Sequence, residues 1–160
     1  MIPNPIRLTK MVRKMMRSGR VTRFQHSIQS THTTVLLKDG KPFLAISTPG
    51  GDSQDQQILN VLLNLLVFDM DLQAAIEAPR INSTHPHSSF DNHESVAGQL
   101  EIENRVPAKV MDELKARGHV LRVLGPYAMS TGVVAVGVNP KTGTLRGGAD
   151  PRRERYVFGW

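Results

Sequence analysis

An α+β domain, with helices packed on an antiparallel sheet, is the fold class that this sequence predicts. Its strand-like segments come in hairpins, its helical segments are grouped between them, and no internal repeat points to a solenoid. The 160 residues suffice for one hydrophobic core and fall short of what two independent domains usually need. No stretch reaches the roughly 18 uninterrupted apolar residues of a membrane span. Asn60 and Asn64 divide the longest one, Ile58 to Phe68.

The first element expected is a short amphipathic helix in an N-terminal arm, residues 1–27. Leu8, Met11, Val12, Met15 and Met16 recur at helical spacing with basic residues on the other face. The remainder, residues 28–160, reads as one domain. Thr33 to Leu37 and Pro42 to Thr48 read as two strands, joined at Asp39-Gly40, a strong hairpin signal. Pro49-Gly50-Gly51 ends the second strand. Ser53 followed by Gln56 matches a capping box, and Ile58 to Phe68 reads as a helix buried on nearly every face. Asp71 suits the cap of a second helix, Leu72 to Ala78, which Pro79 stops. Arg80 to Gly98 is expected as a loop of nineteen residues, and loops of that length are usually functional or disordered. Beyond it, Gln99 to Glu103 alternates as a strand, and Pro107 to Arg117 is a helix with Pro at its first turn and Gly118 just past its end. His119 to Leu124, Gly132 to Val138 and Gly143 to Gly148 are further strands, and the tail from Ala149 is irregular.

Charge is distributed unevenly. The net charge is +6, from 20 Lys and Arg against 14 Asp and Glu. Seven of the basic residues (Arg7, Lys10, Arg13, Lys14, Arg17, Arg20 and Arg23) precede Leu37, where there is no acid at all. The body is therefore almost neutral. Such an arm suits packing on the body, contact with a membrane surface or an organellar transit peptide, whereas the lack of an uncharged apolar stretch argues against a secretory signal. Its only aromatic is Phe24, so it lacks the stacking residues of a single-strand nucleic-acid binder. With no cysteine, disulfides, thiolate metal sites and a Cys nucleophile are excluded.

The richest stretch chemically is the strand-to-helix junction Thr48-Pro49-Gly50-Gly51-Asp52-Ser53. Two glycines before a helix can form a nest of N–H groups that binds an anion or a developing oxyanion. The alternative is a tight turn that simply needs positive φ, and Asp52 is expected to place its own carboxylate there. His85, His87 and His93, with Asp91 and Glu94, have ligand chemistry without ordered zinc spacing. There is no Gly-x-Ser-x-Gly nucleophile elbow, no phosphate-binding loop and no dinucleotide fingerprint.

Three stretches carry a family resemblance. They are Thr34-Val-Leu-Leu-Lys-Asp-Gly-Lys-Pro-Phe-Leu-Ala-Ile-Ser-Thr-Pro-Gly-Gly-Asp52, the Leu-rich helix with Phe68-Asp-Met-Asp-Leu-Gln-Ala-Ala-Ile-Glu-Ala-Pro-Arg80, and Gly148-Ala-Asp-Pro-Arg-Arg153. Together they resemble the small subunit of gamma-glutamyltranspeptidases, over about Ser30 to Trp160. Gly-Gly-Asp and Ser88-Ser-Phe90 look like the bacterial transpeptidase-like branch. The resemblance implies part of the four-layer αββα sandwich of N-terminal-nucleophile hydrolases. There a Thr freed by precursor cleavage attacks a γ-glutamyl amide with its own amine as base, and water or an amino acid resolves the acyl-enzyme. It implies that Gly50 and Gly51 are the oxyanion-hole glycines and that Ser30 contacts the glutamyl part, its neighbouring serine being Gln29 here. Asp150, Pro151 and Arg152 match a tail of structural role. No cofactor or metal is implied.

In the family the nucleophile opens a Thr-Thr-His stretch upstream of the matched region. Here that ground is the basic arm, and Thr31, Thr33 and Thr34 fall downstream of the nucleophile's place. The expectation is a chain that carries the oxyanion hole without the nucleophile, is inactive alone, and works with a large subunit or Thr-bearing companion. The alternatives are a non-catalytic module whose arm docks an acidic partner or membrane, and self-association across the face left open in half a sandwich.

Overall fold

The computed structural model describes residues 24–25, 32–90 and 92–158. The helix expected in the arm, Ser30 with Gln29 and Thr31, and Asp91 lie outside the described residues.

Strands β2 (His32–Lys38) and β3 (Lys41–Thr48) form the expected hairpin. Asp39 and Gly40 both take positive φ, 51° and 75°, the mirror-image turn whose twist matches that of the flanking strands. Nothing lies within 4 Å of where a Cβ on Gly40 would sit. Gly40→Ala is therefore expected to lose only the conformational term, about 1 kcal/mol by chemical denaturation.

The hairpin belongs to a five-stranded, wholly antiparallel sheet in the order β1-β2-β3-β7-β8, with β1 at Phe24–Gln25, β7 at Val134–Val138 and β8 at Leu145–Ala149. Alternation along the strands sends Leu36, Leu44, Ile46 and Ala135 to one face. There they meet Ile58, Val61 and Leu62 of helix α1 (Gln54–Leu66) and Leu72, Ala75 and Ile76 of helix α2 (Leu72–Glu77). This is the core, and it gives the helix-on-sheet packing that the sequence predicts.

A second sheet runs in the order β4-β5-β6, with β4 at Ile81–Ser83, β5 at Gln99–Glu103 and β6 at Val120–Leu124. Two expectations are corrected here. Strand β4 occupies the start of what reads as a loop, pairing Ile81 with Ile102 and Ser83 with Leu100. Strands β5 and β6 run parallel, because helix α3 (Ala108–Ala116) carries the chain back between them.

Helix α1 departs from the sequence reading in two ways. It is buried on one face only, with Leu59 56% exposed. No capping box forms, since Ser53 makes no side-chain cap hydrogen bond and one 3-10 turn, Gly51–Ser53, precedes the helix. Gln56 reaches β4 instead. Its Nε2 donates to the Ser83 carbonyl at 3.0 Å and its Oε1 accepts the Ser83 N–H at 2.7 Å, as a neighbouring strand would. Gln57 Nε2 and Asn60 Nδ2 donate to the Ile81 carbonyl. Gln73 of α2 treats Ala149 of β8 in the same way, at 2.9 and 3.0 Å. Backbone groups that would otherwise be buried without partners are thus satisfied by amide side chains. No helix among the described residues is long and apolar enough to cross a membrane.

Candidate functional site

Strand β3 ends at Thr48, and the chain turns at Pro49-Gly50-Gly51 before entering α1. Gly50 has φ 138° and ψ 20°, and Gly51 has φ 55°. Space as well as backbone demands glycine here. A Cβ on Gly50 would lie 2.5 Å from Thr131 Cγ2, and one on Gly51 2.6 Å from the Phe90 ring. Thr48 anchors the turn, accepting the Gly132 N–H at 3.2 Å while its hydroxyl donates to the Pro49 carbonyl at 2.9 Å. Two successive positive-φ residues at the start of a helix make a concave backbone turn suited to negative charge.

The Asp52 carboxylate is engaged elsewhere than at this turn, which corrects the expectation. It accepts the Ser89 N–H at 2.8 Å and the hydroxyls of Ser89 and Ser88. Hydrogen bonds from Ser89 hold this carboxyl below its ordinary range. The result is a clasp that seats the loop between β4 and β5 so that Phe90 lies against Gly51. Two clefts meet Gly50, Asp52 and Phe90. One, about 320 Å³, runs toward Gln56, Thr84 and Ser95. The other, about 410 Å³, runs toward Gln54, Asp55 and Ser89.

The loop histidines serve the loop itself. His85 Nδ1 accepts the Gly98 N–H at 3.0 Å, which puts the neutral ring's proton on Nε2. His87 Nδ1 faces the His93 carbonyl and His93 Nδ1 the Ser88 carbonyl. Among the described residues no group of three His, Cys, Asp or Glu is placed to hold a metal ion. Thr33 and Thr34 lie within β2, opposite Ser47 and Ile46, and Thr34 is buried.

Behind the turn lies a network of buried charge. Arg80 Nη1 donates to Thr131 Oγ1 at 3.4 Å, and Thr131 is the residue against which Gly50 packs. Arg80 Nη2 pairs with Asp150 Oδ2 at 2.7 Å. Asp150 also accepts the Val133 N–H and pairs with Arg152 Nη1 at 3.1 Å. Arg152 grips Glu103 with two nitrogens, at 2.6 and 2.8 Å, and Arg105 adds a third contact at 2.7 Å while covering the Tyr127 ring. The side chains of Arg80, Glu103, Asp150 and Arg152 are fully buried. Burial pushes the Arg80 guanidinium down to about 10 against the pull of Asp150, and it stays charged at neutral pH. Burial raises the Glu103 carboxyl, but its bonds to Arg152 and Arg105 outweigh that and hold it below its ordinary value. The structural role implied for Asp150 and Arg152 takes this concrete form. The network joins the ends of β5 and β8 to the end of α2, through the carbonyls of Ile76 and Ala78.

Reading the sequence singled out Gly50, Gly51 and Asp52 but missed Arg80, Thr131, Asn82 and the contact of Phe90 with Gly51. Phe90 left a signal, as the aromatic of Ser88-Ser-Phe90, and Arg80 left one as the last residue of a stretch that carries the family resemblance, whereas Thr131 and Asn82 left none.

Comparison with known proteins bears on this site. The family model described as gamma-glutamyltranspeptidase matches residues 20–160. The glutathione hydrolase proenzyme of Bacillus subtilis (strain 168) is 31% identical over 133 residues, covering 82% of this chain and 20% of that protein. Acylase ACY 1 proenzyme of Pseudomonas sp. (strain SE83) is 34% identical over 113 residues, covering 71% and 18%. The chain thus spans about a fifth of the length of these curated relatives. A crystal structure of a Helicobacter pylori gamma-glutamyltranspeptidase mutant superposes with a TM-score of 0.65 at 29% identity, covering 79% of this chain and 62% of that one.

Proposed function

Because the chain belongs to the gamma-glutamyltranspeptidase family, we propose that it is the oxyanion-binding portion of an N-terminal-nucleophile enzyme that cleaves or transfers γ-glutamyl amides such as glutathione. The observation that carries this reading is the pair of positive-φ glycines, Gly50 and Gly51, held between Thr131 and Phe90 at the start of α1. As a threonine hydroxyl attacks the amide carbonyl, negative charge develops on the carbonyl oxygen. Backbone N–H groups fixed in advance stabilise that charge without reorganising during the reaction. Ser30, outside the described residues, contacts the glutamyl part in this reading.

The attacking threonine comes from a Thr-bearing companion or segment beyond the residues matched here. Thr33 and Thr34 hold strand positions in β2, which suits framework rather than nucleophile. The chain by itself is therefore expected to release no chromophore from a γ-glutamyl anilide, and to acquire turnover when a Thr-bearing large-subunit polypeptide is supplied. Turnover by the lone chain that Thr33→Ala or Thr34→Ala abolishes would overturn the division of labour.

A further inference from the structure

Nothing in the proposed chemistry uses the basic arm. Residues 1–23 hold seven Lys and Arg, and no Asp or Glu precedes Asp39. Leu8, Met11, Val12, Met15 and Met16 share one face at helical spacing, with Arg7, Lys10, Arg13, Lys14 and Arg17 on the opposite one. A charge run that only kept the chain soluble would need no such apolar stripe.

The sheet register fixes where this arm meets the body. Strand β1 runs antiparallel to β2, with Phe24 opposite Leu36 and Gln25 opposite Val35, so the chain enters β1 from the side of Lys38. The turn between β2 and β3, residues 38–41, lies at that end. The turn between β7 and β8 lies there too, because Leu44 pairs with Gly137 and Val138 with Leu145. These two tips bring exposed Lys41, Lys141 and Arg146 to the arm's end of the sheet, together with the exposed apolar Leu145. Helix α1 also ends there, since Leu65 shares a groove with Phe43, Val138 and Arg146. Asp39, and Asp69 and Asp71 after α1, offset part of the charge, so the surplus at this end belongs to the arm. Strand β3 crosses from here to Thr48 in eight residues, about 25 Å at the usual rise. The glycine turn therefore sits at the opposite end of the sheet.

A single-stranded nucleic acid would call for aromatic side chains, and residues 1–23 contain none. An acidic groove on another protein would fit the arm alone, whereas the two tips spread positive charge across the width of the sheet, which suits an extended plane. We infer that the arm and this end of the sheet dock on an anionic lipid surface. The apolar stripe enters the boundary of the acyl chains, the Lys and Arg side chains meet lipid phosphates, and the glycine turn is held away from the membrane. The docking is independent of the chemistry at that turn.

The test is cosedimentation of the full chain with phosphatidylcholine vesicles, plain or with about one third phosphatidylglycerol, at about 0.1 M salt. The anionic vesicles are expected to bind it about 100-fold more tightly or better, and most of that preference should vanish at about 1 M salt. Replacing Arg13, Lys14 and Arg17 together by Gln should weaken binding about 100-fold, roughly fivefold for each charge. Met11→Ser with Met15→Ser should cost about tenfold or more, because lipid also takes up the apolar stripe. Lys41→Gln with Lys141→Gln should cost about tenfold. Both lysines are exposed, so these changes leave the core untouched. In bicelles of the same anionic lipids, a spin label on the headgroup should broaden the backbone amides of Lys41 and Lys141 and leave those of Gly50 and Gly51 sharp. Equal binding to plain and anionic vesicles, binding to neither, indifference to the lysine pair, or broadening at Gly50 and Gly51 would each overturn the inference. Single-stranded RNA bound as tightly as the anionic vesicles, with no effect of the methionine changes, would assign the arm to nucleic acid instead.

Discussion

Replacing Asp150 by alanine is expected to destabilise the chain by about 3–5 kcal/mol, a large share of the total stability of an ordinary domain. The substitution removes the carboxylate that faces Arg80 at 2.7 Å and Arg152 at 3.1 Å, both with side chains fully buried. It also strands the Val133 N–H. Two guanidinium groups would then share the interior with Glu103 as the remaining fully buried carboxylate of the network. Breaking such a pair costs far more than the pair itself contributes, because the surviving charge stays buried. A double replacement, Arg80→Met with Asp150→Leu, is accordingly expected to be milder than Asp150→Ala alone. Urea denaturation of the three proteins decides it, and a loss under 1 kcal/mol for Asp150→Ala would contradict the account.

The same network predicts the direction of acid sensitivity. The Glu103 carboxyl is held below its ordinary value, so the folded chain binds its proton more weakly than the unfolded chain does. The resulting stabilisation is complete above the ordinary carboxylate range and is lost as pH falls through the lowered folded value. Glu103→Gln should remove that component of acid unfolding, leaving a flatter acid limb on a lower plateau.

Gly50→Ala is the second large effect. At φ 138° an L-residue is strained, and its Cβ would press on Thr131 Cγ2. If Gly50 has the oxyanion role proposed above, γ-glutamyl anilide turnover of the chain reconstituted with a Thr-bearing partner should drop by about 100-fold or more, the size of effect that displacing one such donor produces. Gly40→Ala serves as the matched control. It too places alanine at positive φ, but in the distant hairpin turn, and turnover should be unchanged.

Local signals made most of this fold readable. Asp39-Gly40 between alternating strands needs nothing beyond its neighbours to form a hairpin, and β2 and β3 appear where that turn places them. The same holds for β5, whose alternating Leu100 and Ile102 announce a half-buried strand. Strand β4 was hidden because its central, buried residue is Asn82, so its pattern is that of a polar loop. Its partner on the α1 side is a side chain, Gln56, whose spacing from Ser53 invites a local capping reading. The capping box failed for that reason: a partner 27 residues away won the competition for Gln56. At the site, Gly50 and Gly51 were legible as a pair because turn chemistry is local. The charges behind them were not, since nothing local relates Arg80 to Asp150 or Glu103 to Arg152. The clasp of Asp52 on Ser88 and Ser89 spans 36 and 37 residues and was equally out of reach.

The buried network also imposes an order of events during synthesis. Arg152 contacts the Ile76 carbonyl across 76 positions of chain, and Glu103 across 49. Until residues 150–152 leave the ribosome, Arg80 lacks its carboxylate and Glu103 has only Arg105 of its two arginine partners. The β2–β3 hairpin with α1 and α2 can collapse early, but closing the smaller sheet against them must wait. A nascent chain arrested short of Asp150 would therefore hold its charged side chains in water, with that junction open to chaperones and proteases.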